Sequence, residues 1–354
     1  MEKGGKNKYV AYVGTYTHGS SIGIHIYDID VNEGTLTERK VIPANNSSYV
    51  RRSNNGKYLY SIIDEGVAVF AIQQDGDLKL VDKVGIDGMR GCYITADQKG
   101  KYLVVAGYHD GKVTLIGLNK DGTLRGVLDG VFHRGLGTVA ERNFRPRVSC
   151  VQMTPDNRYL CAVDNGIDQI KIYQIMKEEK LKLVDTVRLA RESGPRKLRF
   201  SPDGKYAYLL YDLANCVDVF SYTDSKQGPV FEKLQTLMTP SDNVDELHDF
   251  STGMHMAPDG KHLFTSTAGD DTLAMFSIDQ KTGLLNKEFS LPVSGEFPKD
   301  IALFPGGRYI ACVNHESNSI TTFAVNYEKK LITMKGKPVE VETPNCILIT
   351  PEGV

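Results

Sequence analysis

The sequence predicts an all-β chain folded as a seven-bladed β-propeller, and three observations predict it. A tight turn leading into an aromatic-rich strand recurs at spacings near fifty residues. A short strand of alternating polarity follows each turn by 10 to 15 residues. The two ends of the chain carry complementary parts of one further repeat. Self-similarity at such a period is the signature of a repeat architecture.

The turn reads Pro-Asp-Gly-Lys/Arg or a relative of it. Its copies are Asn54-Asn55-Gly56-Lys57, Gln98-Lys99-Gly100-Lys101, Pro155-Asp156-Asn157-Arg158, Pro202-Asp203-Gly204-Lys205, Pro258-Asp259-Gly260-Lys261 and Pro305-Gly306-Gly307-Arg308. The closing basic residues step by 44, 57, 47, 56 and 47 positions. A seventh copy, Pro351-Glu352-Gly353, meets the end of the chain 46 residues after Pro305. Pro presets φ for such a turn and Gly or Asn accepts positive φ, so these are hairpin turns with a mechanism.

The alternating strands are Val67–Ile72, Val113–Leu118, Ile170–Ile175, Val217–Tyr222, Leu273–Ile278 and Ile320–Val325. Their period of two and their β-branched residues are what a strand requires. A seventh, Ile22–Tyr27, stands at the front of the chain with no turn before it. A third element, a Gly-x-Leu turn into an outer strand, begins at Gly34, Gly76, Gly122 and Gly283. The offset between the ends predicts the closure. The N-terminus supplies the later strands of one blade, and Cys346–Thr350 supplies its innermost strand. Pairing them closes the ring and removes the sheet edges that an open solenoid or two sandwiches would expose.

Length alone, at roughly 150 residues per domain, suggests two domains. The closed repeat overrides that expectation and makes residues 1–354 one propeller domain, with 1–7 a flexible N-terminal segment. A net charge of −2 gives no general attraction to nucleic acid or membrane. No apolar run approaches 18 residues, and the N-terminus lacks the apolar core of a signal peptide. The six cysteines form no C-x-x-C pair and sit in apolar runs, so they read as reduced thiols of a cytoplasmic protein. A monomer or weak homo-oligomer is expected. No metal-ligand spacing, P-loop or G-x-S-x-G elbow is present, so no cofactor and no metal is expected.

In a propeller, the starts of the inner strands and the loops joining second to third strands open on one mouth of the central channel, the default ligand site. The inner-strand starts carry Arg51, Arg90, Arg147, Arg196, Lys197 and Lys299. The loops carry Asp64 or Glu65, Tyr108, His109, Asp164, Asp212, Asp270, Asn314 and His315. Convergent Arg and Lys on a near-neutral protein point to a small anionic substrate, a phosphate or a carboxylate. The competing reading pairs each cation with an acid of the neighbouring loop.

These residues also resemble the lactonase family of seven-bladed propellers. The resemblance rests on Gly14-Thr15-Tyr16-Thr17, Ser21-x-Gly23-Ile24, Asn46-x-Ser48-Tyr49, Tyr108, His133-x-Gly135-x-Gly137, Asp164-x-Gly166-x-Asp168, Gly194-Pro195-Arg196 and Pro298-Lys299. It runs through essentially the whole chain. It implies hydrolysis of an anionic sugar lactone such as 6-phosphogluconolactone, or a related lactone-forming step, without metal or organic cofactor. The chain departs from the family pattern at Lys197, Arg147, Ser149 and Tyr93, where His is usual. It departs also at Asp212, where Glu is usual, at Thr267-Ala268, where Asn-Arg is usual, and at Lys299, where Arg is usual. Besides the lactonase reading, these departures leave open a lactonising or isomerising enzyme on another carboxylated molecule, and a non-catalytic binding platform.

Lactone hydrolysis needs an activated water, a stabilised oxyanion and a protonated leaving oxygen. The catalytic candidates are Arg196 for the oxyanion, Asp212 for the base, His133 as proton shuttle and Lys197 as acid or base. The substrate-binding candidates are Arg147, Ser149, Tyr108, Asp164, Arg90 and Lys299. Asp164-Asn165-Gly166 is also a good turn sequence, so Asp164 has a structural reading too. The two long steps place extra chain at about 125–146 and 225–250, and Arg125–Arg145 is the expected lid, with a thickened blade edge as the alternative.

Overall fold

The computed structural model describes residues 8–137, 144–226, 228–241, 245 and 248–353. Its regular structure is entirely β: seven antiparallel sheets, six of four strands and one of five. Numbered from the first complete repeat, the innermost strands of blades 1 to 6 are Val50–Arg52, Tyr93–Ala96, Val148–Met153, Pro195–Phe200, Phe250–Met256 and Pro298–Leu303. Each blade then runs outward in chain order. Blade 4, for example, continues through Tyr206–Tyr211 and Cys216–Ser225 to Gly228–Met238.

Blade 7 closes the ring as the offset predicts. Its inner strand is Pro344–Pro351, and the N-terminal Tyr9–Thr15, Gly23–Asp30 and Thr35–Pro43 complete it. The register pairs Tyr9 with Pro351, Tyr12 with Leu348 and Gly14 with Cys346. The expected segment 1–7 lies outside the described residues.

The core is a ring of layers between neighbouring blades. Between blades 4 and 5, Tyr208 and Leu210 meet Met254, Leu263 and Phe276. Across the closure, Ala11, Val13 and Tyr27 meet Phe304, Tyr309 and Ala311 of blade 6. The recurring turn-then-aromatic and Gly-x-Leu elements are two halves of one joint. A second-strand tyrosine donates its hydroxyl to the outer turn of the next blade: Tyr12 to Gly76 O at 2.7 Å, Tyr60 to Gly122 O at 2.7 Å, Tyr208 to Gly283 O at 3.1 Å and Tyr309 to Asn32 O at 2.7 Å. The turn glycine is required twice over at position 283. Its φ of +69° suits glycine, and a Cβ there would stand 2.2 Å from the Tyr206 ring.

The two long steps feed outer strands in part, Leu124–Phe132 and Gly228–Met238. The expected lid is therefore an outer strand over its first residues, and its stretch 138–143 lies outside the described residues. All six cysteines are free thiols. No helix of the described residues is long and apolar enough to cross a membrane.

Candidate active site

The inner strands do not begin as regular ladders. Register shifts fall between Val148 and Cys150, between Pro195 and Lys197, between Ser251 and Met254, and between Pro298 and Asp300. Successive side chains of a regular strand face opposite ways, and a bulge breaks that alternation. At blades 4 and 6 the result is two consecutive polar residues on the channel side, Arg196 with Lys197 and Lys299 with Asp300. Together with Tyr16, Arg90, Tyr108 and Ser149 they line a cavity of about 280 Å³ at the mouth of the ring.

The cations of this cavity are held differently from one another. Arg196 donates Nε to Thr252 O at 3.0 Å and Nη1 to Asp212 Oδ2 at 3.1 Å. Arg90 donates Nη1 to Asp64 Oδ1 at 3.1 Å and lies over the Tyr16 ring at 4.8 Å. Lys299 lies over the Tyr16 and Phe297 rings at 5.3 and 5.7 Å and forms no ion pair among the described residues. Burial, followed by the charge of Arg196, pushes its ammonium down to about 8. Lys197 is buried on the cavity floor, with Nζ 2.7 Å from Asp300 Oδ1. Burial lowers its pKa, and the Asp300 charge works against that shift.

A second cavity of about 330 Å³ adjoins the first and shares Tyr108, Arg196 and Phe297 with it. Arg147 and Asp212 line this one. Arg147 lies over the Tyr108 ring at 5.4 Å and donates Nη1 to its hydroxyl at 3.4 Å. Asp212 Oδ2 also accepts Asn165 Nδ2 at 3.3 Å. Ser149 Oγ is spent on the Pro195 carbonyl at 3.0 Å, although its side chain reaches the first cavity.

Eight of the ten expected site residues thus converge on two adjoining cavities, and two do not. His133 lines neither. It is sealed beside blade 3, with Nδ1 2.6 Å from Asp164 Oδ2 and no exposure of either side chain. Burial lowers its pKa despite Asp164. A proton shuttle needs a path to the substrate, and His133 has none. Asp164 spends its other oxygen on the backbone N–H groups of Arg147 at 2.8 Å and Gly166 at 3.0 Å. It fixes the chain that carries Arg147 and lines neither cavity, in keeping with its turn sequence. Arg51, expected at the mouth, lines neither cavity.

Sequence reasoning missed Asp300, the partner of Lys197. Beside Lys299, strict alternation would point it away from the channel, and only the bulge turns it inward. It also gave no role to Tyr16, whose ring carries both Arg90 and Lys299. The doublets Arg196-Lys197 and Lys299-Asp300, each after a proline at the same repeat position, are the signal that could have found the bulges. No group of three or more His, Cys, Asp or Glu among the described residues converges to hold a metal ion.

The ring and its mouth define a class: a seven-bladed propeller with a cationic, aromatic-walled pocket over its central channel. Residues 10–349 match the family described as lactonase, 7-bladed beta-propeller. The chain belongs to that family, and at the family level it is a lactonase-like hydrolase. It is 30% identical over 348 residues to the 6-phosphogluconolactonase of Bacillus subtilis, covering 96% of this chain and 98% of that one. It is 28% identical over 334 residues to the 6-phosphogluconolactonase of Formosa agariphila, covering 90% and 92%. Among solved structures, the periplasmic gluconolactonase of Pseudomonas aeruginosa superposes with a TM-score of 0.90 at 27% identity, covering 98% of this chain and 99% of that one.

Proposed function

We propose that this protein hydrolyses an anionic sugar lactone, with 6-phosphogluconolactone as the substrate to try first. The observation that carries the reading is the convergence of Arg90, Arg196 and Lys299 on a cavity whose floor is a buried Lys197–Asp300 pair. Lys299 forms no ion pair among the described residues, so its charge is available to a ligand. Arginine and lysine at such a mouth suit phosphate and carboxylate oxygens. The family membership and the names of the two bacterial relatives support the same chemistry.

In this reading Arg90 and Lys299 hold the anionic end of the substrate. Arg196, fixed by Asp212 and the Thr252 carbonyl, presents its remaining N–H groups where the carbonyl oxygen gains charge. Asp212 accepts the proton of the attacking water as the new C–O bond forms. Lys197, positioned by Asp300, gives a proton to the ring oxygen as the lactone C–O bond breaks. Action in the cytoplasm, as a monomer or weak homo-oligomer, completes the proposal.

The test is hydrolysis of freshly generated 6-phosphogluconolactone against its spontaneous rate. Loss of one oxyanion donor lowers kcat by about 10²–10³, and that is the expectation for Arg196→Ala. Arg90→Ala and Lys299→Ala should act chiefly on KM. No acceleration by the unaltered protein would retire the phosphosugar lactone and leave a binding platform for a small anion as the better reading.

A further inference from the structure

Two guanidinium groups stand one step deeper in the channel than the residues that line the mouth cavity. Arg51 is two residues beyond Tyr49, and Arg199 two beyond Lys197. At about 3.3 Å of rise per strand residue, two residues keep the same face and move roughly 7 Å down the channel. Arg199 donates Nη1 to Tyr93 Oη at 2.5 Å and to the Leu198 carbonyl at 3.1 Å. Arg51 Nε is buried with no hydrogen-bond partner among the described residues. Neither guanidinium forms an ion pair among those residues.

The charges here do not balance. Lys197, Arg199 and Arg51 are three cations, and the carboxylate that faces them, Asp300, is already engaged by Lys197 at 2.7 Å. The other acidic groups nearby do not supply the missing charge. Burial raises the pKa of Tyr49, Tyr93 and Cys150, which keeps all three neutral. His255, on the inner strand of blade 5, is held neutral as burial and then Arg199 push it down to about 4. Arginine cannot shed its proton in a protein. Both arginines are half-buried, with Arg51 Nε sealed from solvent, and two such guanidiniums that face the channel without a carboxylate partner call for an anion between them.

We propose that the central channel binds one small inorganic anion, of chloride size, between Arg51 and Arg199. The Tyr49 and Tyr93 rings, with centroids 4.3 Å apart, line the mouth cavity on the side of these arginines and favour a small ion over a phosphate ester beyond them. The site is separate from the lactone cavity, and its existence does not depend on the lactonase reading. It joins blade 1 to blade 4 across the axis through one shared charge, and through Arg199 it holds the Tyr93 hydroxyl in the cavity wall.

Crystals of the full chain soaked in sodium bromide, with anomalous diffraction at the bromine edge, test this directly. The expected result is a peak between the Arg51 and Arg199 guanidiniums. In parallel, thermal unfolding is followed at constant ionic strength while sodium methanesulfonate, too large for the site, is replaced by 0.2 M sodium chloride. An anion bound only by the folded state raises the melting temperature, here by about 3–5 °C. Arg51→Met should abolish that rise, whereas Arg90→Met at the mouth should keep it. A map with no bromide at this level, or with bromide only beside Arg90, Arg196 and Lys299, would overturn the proposal. So would equal melting temperatures in the two salts. The bromide map uses the unaltered protein, so the question is answered even if Arg51→Met does not fold.

Discussion

Replacing Lys197 by Met leaves Asp300 as a lone carboxylate on the cavity floor. The ion pair is 2.7 Å long, with side chains about one-tenth exposed. At an effective dielectric of about 20, charges at that distance attract by about 6 kcal/mol. Much of this only offsets the desolvation of the two ions. Removing one partner of a buried pair is a different matter, because the remaining ion keeps its desolvation penalty; the usual result is a loss of about 3–5 kcal/mol. Asp300 keeps one further contact, the Ile347 N–H to Oδ2 at 3.3 Å, and it can take up a proton. The lower end, about 3 kcal/mol, is therefore expected for Lys197→Met. Asp300→Asn should fall in the same range. The double variant should lose about 1–2 kcal/mol, so the two changes fall well short of additive. Urea unfolding followed by far-UV circular dichroism and tyrosine fluorescence measures this, since the chain has 18 tyrosines and no tryptophan. A single-variant loss under 1 kcal/mol, with a double variant equal to the sum, would mean that the pair is solvated and the reasoning wrong.

Three further outcomes are expected. Lys299 is pushed down to about 8 in the folded protein against about 10.4 unfolded. The unfolded chain therefore binds the extra proton between those values, and stability should rise with pH from about 8 to 10.4, a slope that Lys299→Met removes. His255 sits at about 4 against about 6.5 unfolded. Its contribution is complete above 6.5 and lost as pH falls toward 4, amounting to about 3–4 kcal/mol at the limit; acid unfolding of His255→Gln should show a weaker dependence across that window. Gly283→Ala, which drives a Cβ into the Tyr206 ring, should destabilise by more than Tyr208→Phe, where loss of one buried hydrogen bond removes about 1 kcal/mol. Equal effects by denaturant unfolding would show that the joint relaxes around the new methyl group.

The architecture was legible because it is written in local chemistry. Seven turn signals, seven alternating strands and the offset between Ile22–Tyr27 and Cys346–Thr350 depend on residues within a few positions of one another, and each reports its own φ preference or polarity period. Eight site candidates could be read for the same reason: the start of every inner strand and the loop after every second strand are fixed places in the repeat, and the ring brings those places to one mouth. What the sequence by itself could not determine was which way each side chain turned there. Bulges after Pro195 and Pro298 swung Lys197 and Asp300 into contact, although they are 103 positions apart in the chain. His133 looked like a proton carrier and became a sealed partner of Asp164, because the packing of blade 2 on blade 3 leaves it no exposed side-chain surface. Arg51 looked like a mouth residue and lines neither cavity. Burial, ion pairing and orientation belong to contacts between blades, and those exist only once the ring has closed.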